Sequence, residues 1–292
     1  MSHFTNTSGG TFTFPNGGPT VRRVGYGTMQ LPGEGVFGPP RDEAAALAVL
    51  REARAAGVNH FDTAAFYGPG VSNRLLREAL APYDDDLTIV TKVGATRGDD
   101  KSWKLARSYD DLGRDVEANL EQLGVDRLGV VNLRLGGTMG PEAGSVAEPL
   151  RAMIDLKDRG LLRHIGLSNV TPEQYEEAAR MTEIACVQNH YNLAHREDDD
   201  LIDRLAGRGI AYVPFFPLGG FNPVQAKALD DAAATLGVPK MQVALAWLLR
   251  RSPNVLLIPG TSSVEHLRDN LAAADLDLPP GVMASLDRIG CD

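Results

Sequence analysis

Side chains able to carry charge or donate hydrogen bonds recur at one kind of place in this sequence, directly at the ends of short apolar runs. Asp62, Lys92, Asn132, Arg134, Ser168, Asn169, Gln188 and Asn189 stand there, and the aromatic Phe215 follows another such run. A carboxylate, an ammonium and a guanidinium brought together can hold charge and tune a neighbour's acidity, and amides and a hydroxyl can hydrogen-bond a ligand. Gly260-Thr261-Ser262-Ser263 leads into a helical pattern, and backbone amides at a helix start attract phosphate. His60, His164, His190 and His195 lack ligand spacing such as His-Glu-x-x-His, so no metal is expected. His60 and His164 fall inside apolar runs and read as hydrogen-bonded structural histidines.

The elements that position these residues are legible from alternation. Strand-length apolar segments occupy residues 24–28, 58–62, 88–92, 128–133, 164–168, 186–189, 211–214 and 256–258. Amphipathic helical patterns start near Asp42, Val71, Tyr109, Ser145, Pro172, Asp198, Val224 and Ser263. Eight strands alternating with eight helices predict an α/β protein, a single (β/α)8 TIM barrel. In such barrels ligands meet the C-terminal ends of the strands, where the polar residues above are found. Three pieces lie outside the repeat. Residues 11–14 and 20–23 flank Pro15-Asn16-Gly17-Gly18 and predict an N-terminal β-hairpin cap over the barrel floor. Extra C-terminal helices are expected over Lys240–Arg251, after Pro239, and over residues 281–288. No linker, charge tract or low-complexity segment interrupts the pattern, so residues 1–292 read as one domain.

Composition bounds the function. Of the 292 residues, 43% are hydrophobic and 23% charged, as in an ordinary globular protein. The net charge of −9 argues against nucleic acid, which needs clustered Lys and Arg, but leaves room for a small anionic ligand. Two cysteines make no disulfide framework; Cys186 sits in an apolar run and reads as a buried small side chain. With no signal-like N-terminus and no apolar run near the ~20 residues of a membrane span, the expectation is a cytoplasmic protein away from membranes. A monomer or weak homo-oligomer is expected.

Several of these stretches together resemble a known family. Phe61-Asp62-Thr63-Ala64-Ala65-Phe66-Tyr67-Gly68 looks like the signature of the aldo-keto reductases. Thr91-Lys92-Val93-Gly94, Gly166-Leu167-Ser168-Asn169, Gln188-Asn189, Phe215-Phe216-Pro217-Leu218-Gly219 and Ile258-Pro259-Gly260-Thr261-Ser262-Ser263 follow in family order, each at an expected strand end. The resemblance covers roughly residues 21–287. Within the family, Gly25-Tyr26-Gly27-Thr28-Met29-Gln30-Leu31, Gly35-Val36-Phe37-Gly38-Pro39-Pro40-Arg41-Asp42, Asn132-Leu133-Arg134 and the run from Val213 to Phe221 resemble a bacterial pyridoxal reductase group.

The resemblance implies reduction of an aldehyde or ketone by hydride transfer from NADPH, with pyridoxal the named candidate substrate. It makes Tyr67 the proton donor, with Lys92 lowering the phenol's pKa from about 10 and Asp62 holding Lys92 charged. The family's usual histidine on the fourth strand is replaced by Arg134, which cannot give up a proton but can donate hydrogen bonds to a carbonyl or an anionic substrate group. Ser168, Asn169 and Gln188 fall where the family holds the nicotinamide amide; Ser168 to Pro172 also reads as a helix N-terminus. Phe215 takes the place of the aromatic that stacks on the nicotinamide, and Leu218 and Gly219 that of the pyrophosphate turn. Gly260, Thr261, Ser262 and His266 occupy the site of the 2′-phosphate, where many members carry Lys and Arg at the positions of Gly260 and His266. Thr261, Ser262, His266 and Arg268 must then replace those charges, and Asp269 and Asn270 match the adenine contacts.

Two rivals stand beside this reading. A regulatory NADP(H)-binding subunit resembling potassium channel β subunits is disfavoured by the intact Asp62, Tyr67 and Lys92. A TIM-barrel phosphate enzyme without nicotinamide would differ in failing to bind the dinucleotide. The segments expected to shape the substrate pocket are residues 28–40, 94–108 and 134–145.

Overall fold

Valine, isoleucine and leucine dominate the short runs, and the intervening stretches carry apolar residues at helical spacing between polar caps. In the computed structural model, which describes residues 9–137, 140–220, 224 and 226–290, they fold in that alternating order. Phe221, named above, and the second cysteine, Cys291, lie outside the described residues. The strands are β1 (Thr11–Thr13), β2 (Thr20–Arg22), β3 (Tyr26–Gly27), β4 (His60–Asp62), β5 (Thr88–Val93), β6 (Ala95–Arg97), β7 (Trp103–Leu105), β8 (Leu128–Arg134), β9 (Leu162–Ser168), β10 (Ile184–Gln188) and β11 (Ala211–Tyr212). The helices are α1 (Glu43–Ala55), α2 (Val71–Leu80), α3 (Tyr109–Leu123), α4 (Ala147–Asp158), α5 (Pro172–Met181), α6 (Asp199–Gly207), α7 (Lys227–Leu236), α8 (Lys240–Arg251), α9 (Val264–Ala272) and α10 (Pro280–Leu286).

Local chemistry sets the helix starts. The Asp42 carboxylate accepts from the Ala45 amide at 2.9 Å. Ser108 with Asp111, and Thr171 with Gln174, form reciprocal capping boxes that satisfy otherwise orphaned donors, and Pro172 supplies the preset first turn of α5. The seventh helix begins at Lys227, three residues after the start expected at Val224.

Seven strands form one parallel sheet in the order β11-β10-β9-β8-β5-β4-β3. Its register aligns the polar residues: Gly27 faces Asp62, Lys92 faces Asn132, Arg134 faces Ser168, and Ser168 faces Gln188. The expected eighth strand appears as bridges that join both edges of the sheet. Leu256 N donates to Tyr212 O at 2.9 Å, and Leu257 N donates to Arg23 O at 2.7 Å, with parallel pairings Tyr212–Val255 and Val24–Leu257. The sheet is therefore curled, with β11 and the segment leading into β3 both reaching residues 254–257.

Two apolar layers hold it. Val131, Leu133, Ile165, Leu167 and Val187 pack outward against buried helix residues such as Leu50, Leu75, Val116 and Leu150. Inward, Val90, Val130, Ala185, Cys186, Ala211, Val213 and Leu256 pack with Phe14 and Val21 from the N-terminal hairpin, whose turn has Asn16 and Gly17 at positive φ. The β6–β7 hairpin was not legible in the sequence: its strands are three residues long and, unlike the equally short N-terminal pair, have no Asn-Gly turn between them. Among the described residues no single helix is long and apolar enough to cross a membrane.

Gly166 on β9 marks how closely the interior is filled. A β-carbon there would fall on the Asn132 side-chain oxygen and lie 2.6 Å from Cys186 Sγ. Gly166→Ala should destabilise by about 1–3 kcal/mol, the usual cost of overpacking, and lower the melting midpoint by several degrees. Circular dichroism melts test this; an unchanged midpoint would show that the interior yields at no cost.

Candidate active site

Four side chains meet where β4, β5 and β8 end. Lys92 Nζ donates to Asp62 Oδ1 and to Thr63 O at 3.0 Å, and both charged groups are only 3% exposed at their side chains. Gln188 Nε2 donates to the other Asp62 oxygen at 2.9 Å, so both oxygens of that carboxylate are used. The Lys92 nitrogen lies 5.1 Å from the centre of the Tyr67 ring. Tyr67 follows β4 in a tight turn in which its amide donates to Ala64 O. Arg134, at the last position of β8, donates to Gly137 O and stands near enough to act on Tyr67 electrostatically.

The acidities correct one expectation. Lys92 does pull the Tyr67 phenol down, as do Arg134 and a hydrogen bond from Lys92, but burial pushes it up more strongly and Asp62 adds to that. The net direction is upward, so Tyr67 stays protonated at neutral pH. Burial likewise works against the Lys92 ammonium, but Asp62 and Tyr67 outweigh it and the pKa lies above the usual lysine value. Arg134 is lowered by burial, against the raising influence of Tyr67 and Glu142. His60 lies below this group, fully buried, and burial first, with Lys92 assisting against Asp62, pushes it down to about 4. Contrary to the expectation of a hydrogen-bonded structural histidine, its Nδ1 has no partner.

A cavity of about 370 Å³ opens over these groups. Its floor is Asp62, Tyr67, Lys92, Arg134 and Gln188; Phe66, Trp103 and Met29 form one wall, and Phe215, Phe216 and Leu218 another. Met241 and Leu245 of α8 also reach it, so the extra helix is part of the site, which its amphipathic pattern alone did not signal. The expected loops contribute Met29, Gln30, Trp103 and Arg134. The Arg97 guanidinium stacks over Trp103 at 4.2 Å and Phe37 at 5.3 Å, and donates to Val36 O and Gly35 O at 2.8 and 3.0 Å. This ties the β6–β7 hairpin to the loop after β3.

The remaining expected residues divide. Gln188, Phe215, Leu218 and Gly260 line the cavity. Ser168 and Asn169 are fully buried beside it, and Ser168 Oγ and Asn169 Oδ1 have no partner, an unusual state for buried oxygens. Asn189 has a structural task instead: it bonds Val170 through both its amide atoms and donates to Asp198 at 2.7 Å. Gly219 makes a turn at positive φ, its amide donating to Phe216 O. Phe216 itself sits at φ 57, a conformation costly for a bulky residue, with Asn192 Nδ2 donating to its carbonyl at 2.9 Å. Behind Phe215, the His190 ring stacks at 5.8 Å and His195 stacks on His190 at 4.1 Å. Thr261 is 7% exposed and inward-tied, its carbonyl accepting from the Tyr26 hydroxyl. Ser262 and His266 are exposed, while Asp269 is partly and Asn270 fully buried on α9. Of these four, only Ser262 borders a cavity, a groove adjoining the first.

Residues 23–290 match the sequence profile of the aldo/keto reductase family. The chain belongs to that family. Among aldo/keto reductases and their kin it is 60% identical, over 279 residues, to pyridoxine 4-dehydrogenase of Escherichia coli, covering 95% of this chain and 98% of the relative. It is 36% identical to an uncharacterised oxidoreductase of Schizosaccharomyces pombe, over 94% of this chain and 88% of that one. A thermostable aldo-keto reductase crystallised with the inhibitor epalrestat superimposes with a TM-score of 0.80 at 29% identity, over 96% and 99% of the two chains. An aldo/keto reductase of Klebsiella pneumoniae in complex with NADP and acetate gives a TM-score of 0.76 at 25% identity, over 96% and 95%.

The Lys92–Asp62 pair generates a direct test. Lys92→Met leaves a buried carboxylate without its cation and should cost about 3–5 kcal/mol of stability. Asp62→Asn combined with Lys92→Met removes the stranded charge and should recover much of that loss. Urea unfolding reads both; a double variant no more stable than Lys92→Met alone would show that the two charges do not act as a unit.

Proposed function

We propose that this chain reduces an aldehyde to its alcohol with NADPH, and that pyridoxal, giving pyridoxine, is its substrate. The observation that carries the reading is the buried Lys92–Asp62 pair set against Tyr67 at the floor of a largely apolar cavity. The 60% identity to a pyridoxine 4-dehydrogenase supports the substrate, and the NADP complex of a structural neighbour supports the cofactor. We read the curled sheet, with its edges joined through residues 254–257, as a closed eight-stranded barrel plugged by the N-terminal hairpin, and the whole chain as one domain. Cys186, buried and with no disulfide among the described residues, suits a reducing compartment, the cytoplasm.

The protein groups suit a nicotinamide dinucleotide on their own chemistry. Ser168 Oγ and Asn169 Oδ1 are buried polar atoms without protein partners, and with Gln188 they offer the donors and acceptors that a carboxamide needs. Phe215 offers a ring face held from behind by His190, and Leu218 and Gly219 a turn for the pyrophosphate; Asp269 and Asn270, the expected adenine contacts, line neither this cavity nor the groove beside it. Bound there, the cofactor supplies the hydride. Tyr67 supplies the proton to the carbonyl oxygen as that oxygen becomes an alcohol. Lys92 keeps a positive charge beside the phenol, stabilising the phenolate left behind. Asp62, fixed by Gln188, holds Lys92 in place, and Arg134 donates to the substrate's oxygens. The apolar wall of Phe66, Trp103 and Met29 excludes water from these charges.

Tyr67→Phe should lower kcat by about 10²–10⁴-fold with NADPH affinity nearly unchanged. In the intact protein reduction should hold its rate through neutral pH and fall only in strongly basic solution, because the donor acts protonated and burial raises its pKa. Steady-state kinetics with fluorescence titration of NADPH check both; retention of more than about a third of kcat would exclude Tyr67 as the acid.

Arg134 stays charged and presents a rigid fork of donors, which suits an oxygen anion beside a carbonyl. The ring hydroxyl of pyridoxal is such a group. Arg134→Met should lower kcat/KM for pyridoxal by roughly 10–150-fold, and distinctly less for an aldehyde of similar shape lacking the hydroxyl. Equal losses for the two aldehydes would reject a clamp across both oxygens.

A further inference from the structure

The family places a lysine and an arginine at the positions of Gly260 and His266, and the structure gives a reason for the first departure. A β-carbon on Gly260 would come 2.7 Å from the carbonyl oxygen of Gly27, so β3 and the segment after residue 258 approach too closely for a side chain. No cation can stand at 260 without separating them. The cation expected to compensate from α9 is also committed: Arg268 Nε and an outer guanidinium nitrogen donate to the Glu52 carboxylate at 3.0 and 2.8 Å. The exposed Ser262 of that loop lines an adjoining groove.

That groove, of about 420 Å³, shares Met29, Gln30, Phe216 and Gly220 with the catalytic cavity and so continues it outward. It is lined mainly by the loop after β3, Arg41 and Asp42 among its residues, and Ser262 borders the same groove. Arg41 is exposed and makes no hydrogen bond or ion pair with a described residue, whereas Lys92 and Arg134 in the main cavity are both engaged. Its backbone is fixed from both sides. Pro40 precedes it, and Asp42 caps α1 with its carboxylate on the Ala45 amide. The Arg97 bonds to Gly35 and Val36 anchor the loop further back. Glu34 also faces the groove, exposed and opposed in charge to an anion.

We propose that Arg41 is the residue that selects NADPH over NADH, pairing with the 2′-phosphate from the β3–α1 loop in the groove that Ser262 also lines. The assignment rests on the dinucleotide reading above. It relocates phosphate recognition from α9 to the β3–α1 loop, and it makes Glu34 an opposing charge that limits how tightly a phosphorylated ribose is held.

The test is equilibrium binding of NADPH and NADH by quenching of protein fluorescence, with adenosine 2′,5′-bisphosphate and adenosine 5′-monophosphate titrated by calorimetry. Arg41→Met should weaken NADPH and the bisphosphate about tenfold, the lower range for a charge-assisted hydrogen bond at an exposed site. NADH and the monophosphate should change by less than about twofold. Glu34→Gln should shift NADPH the other way, tightening it with NADH unmoved. Equal weakening of both dinucleotides by Arg41→Met would overturn the proposal, since a pyrophosphate contact or a disturbed loop affects both alike. So would unchanged NADPH affinity, or a larger selective loss in Arg268→Met. Wild-type protein that binds neither dinucleotide would overturn the reductase reading along with it; wild-type protein that binds NADPH regardless of Arg41 would overturn this inference alone.

Discussion

A lysine ammonium and an aspartate carboxylate held almost out of reach of water constrain the rest of this molecule. Removing two such ions from solvent costs several kcal/mol each, which their attraction offsets only when the geometry is good and their remaining hydrogen-bonding capacity is met. Here the capacity is met by residues from three other places in the chain: the Thr63 carbonyl, the Gln188 amide and the neighbouring Tyr67. Thr63 and Tyr67 follow β4, Gln188 ends β10 and Lys92 itself stands on β5, so the pair depends on the parallel register of β4, β5 and β10 being right. One residue of slip in any of them would turn the group to the outer face.

The sequence disclosed the alternation, the polar strand ends and most of the cavity floor, because those features rest on local pattern. Asp62, Lys92, Arg134, Gln188 and Phe215 all reach the cavity as the spacing implied. What it withheld depends on contacts between distant segments. That Asn189 ties α5 and α6 rather than facing a ligand follows from Val170 and Asp198 lying beside it. The upward direction of the Tyr67 pKa depends on how much water the fold removes, which a residue list cannot express. The commitment of Arg268 to Glu52 joins residues 216 positions apart. Met241 and Leu245 look like any apolar pair on a buried helix until α8 is seen against the mouth of the sheet.

The aromatic wall shows how one ring face of the cavity is held in place. Phe216 keeps a left-handed backbone, and its ring packs edge-on against Phe215 at 5.0 Å. His190 and His195 extend the stack behind Phe215. A ring with neighbours on its edge and its back has little freedom to tilt, so the free face is presented ready-made rather than formed on binding.

Arg97 joins two walls of the cavity mouth into one body. Its guanidinium lies against both Trp103 and Phe37 while its nitrogens hold the carbonyls of Gly35 and Val36. A change in the length or sequence of either loop is therefore transmitted to the other, chiefly through Arg97 and also through Lys101, whose ammonium lies 5.7 Å from the Phe37 ring. In evolutionary terms the two loops are not independent variables. New substrate shapes are reached by paired changes in both, or by losing the arginine first and letting each drift alone.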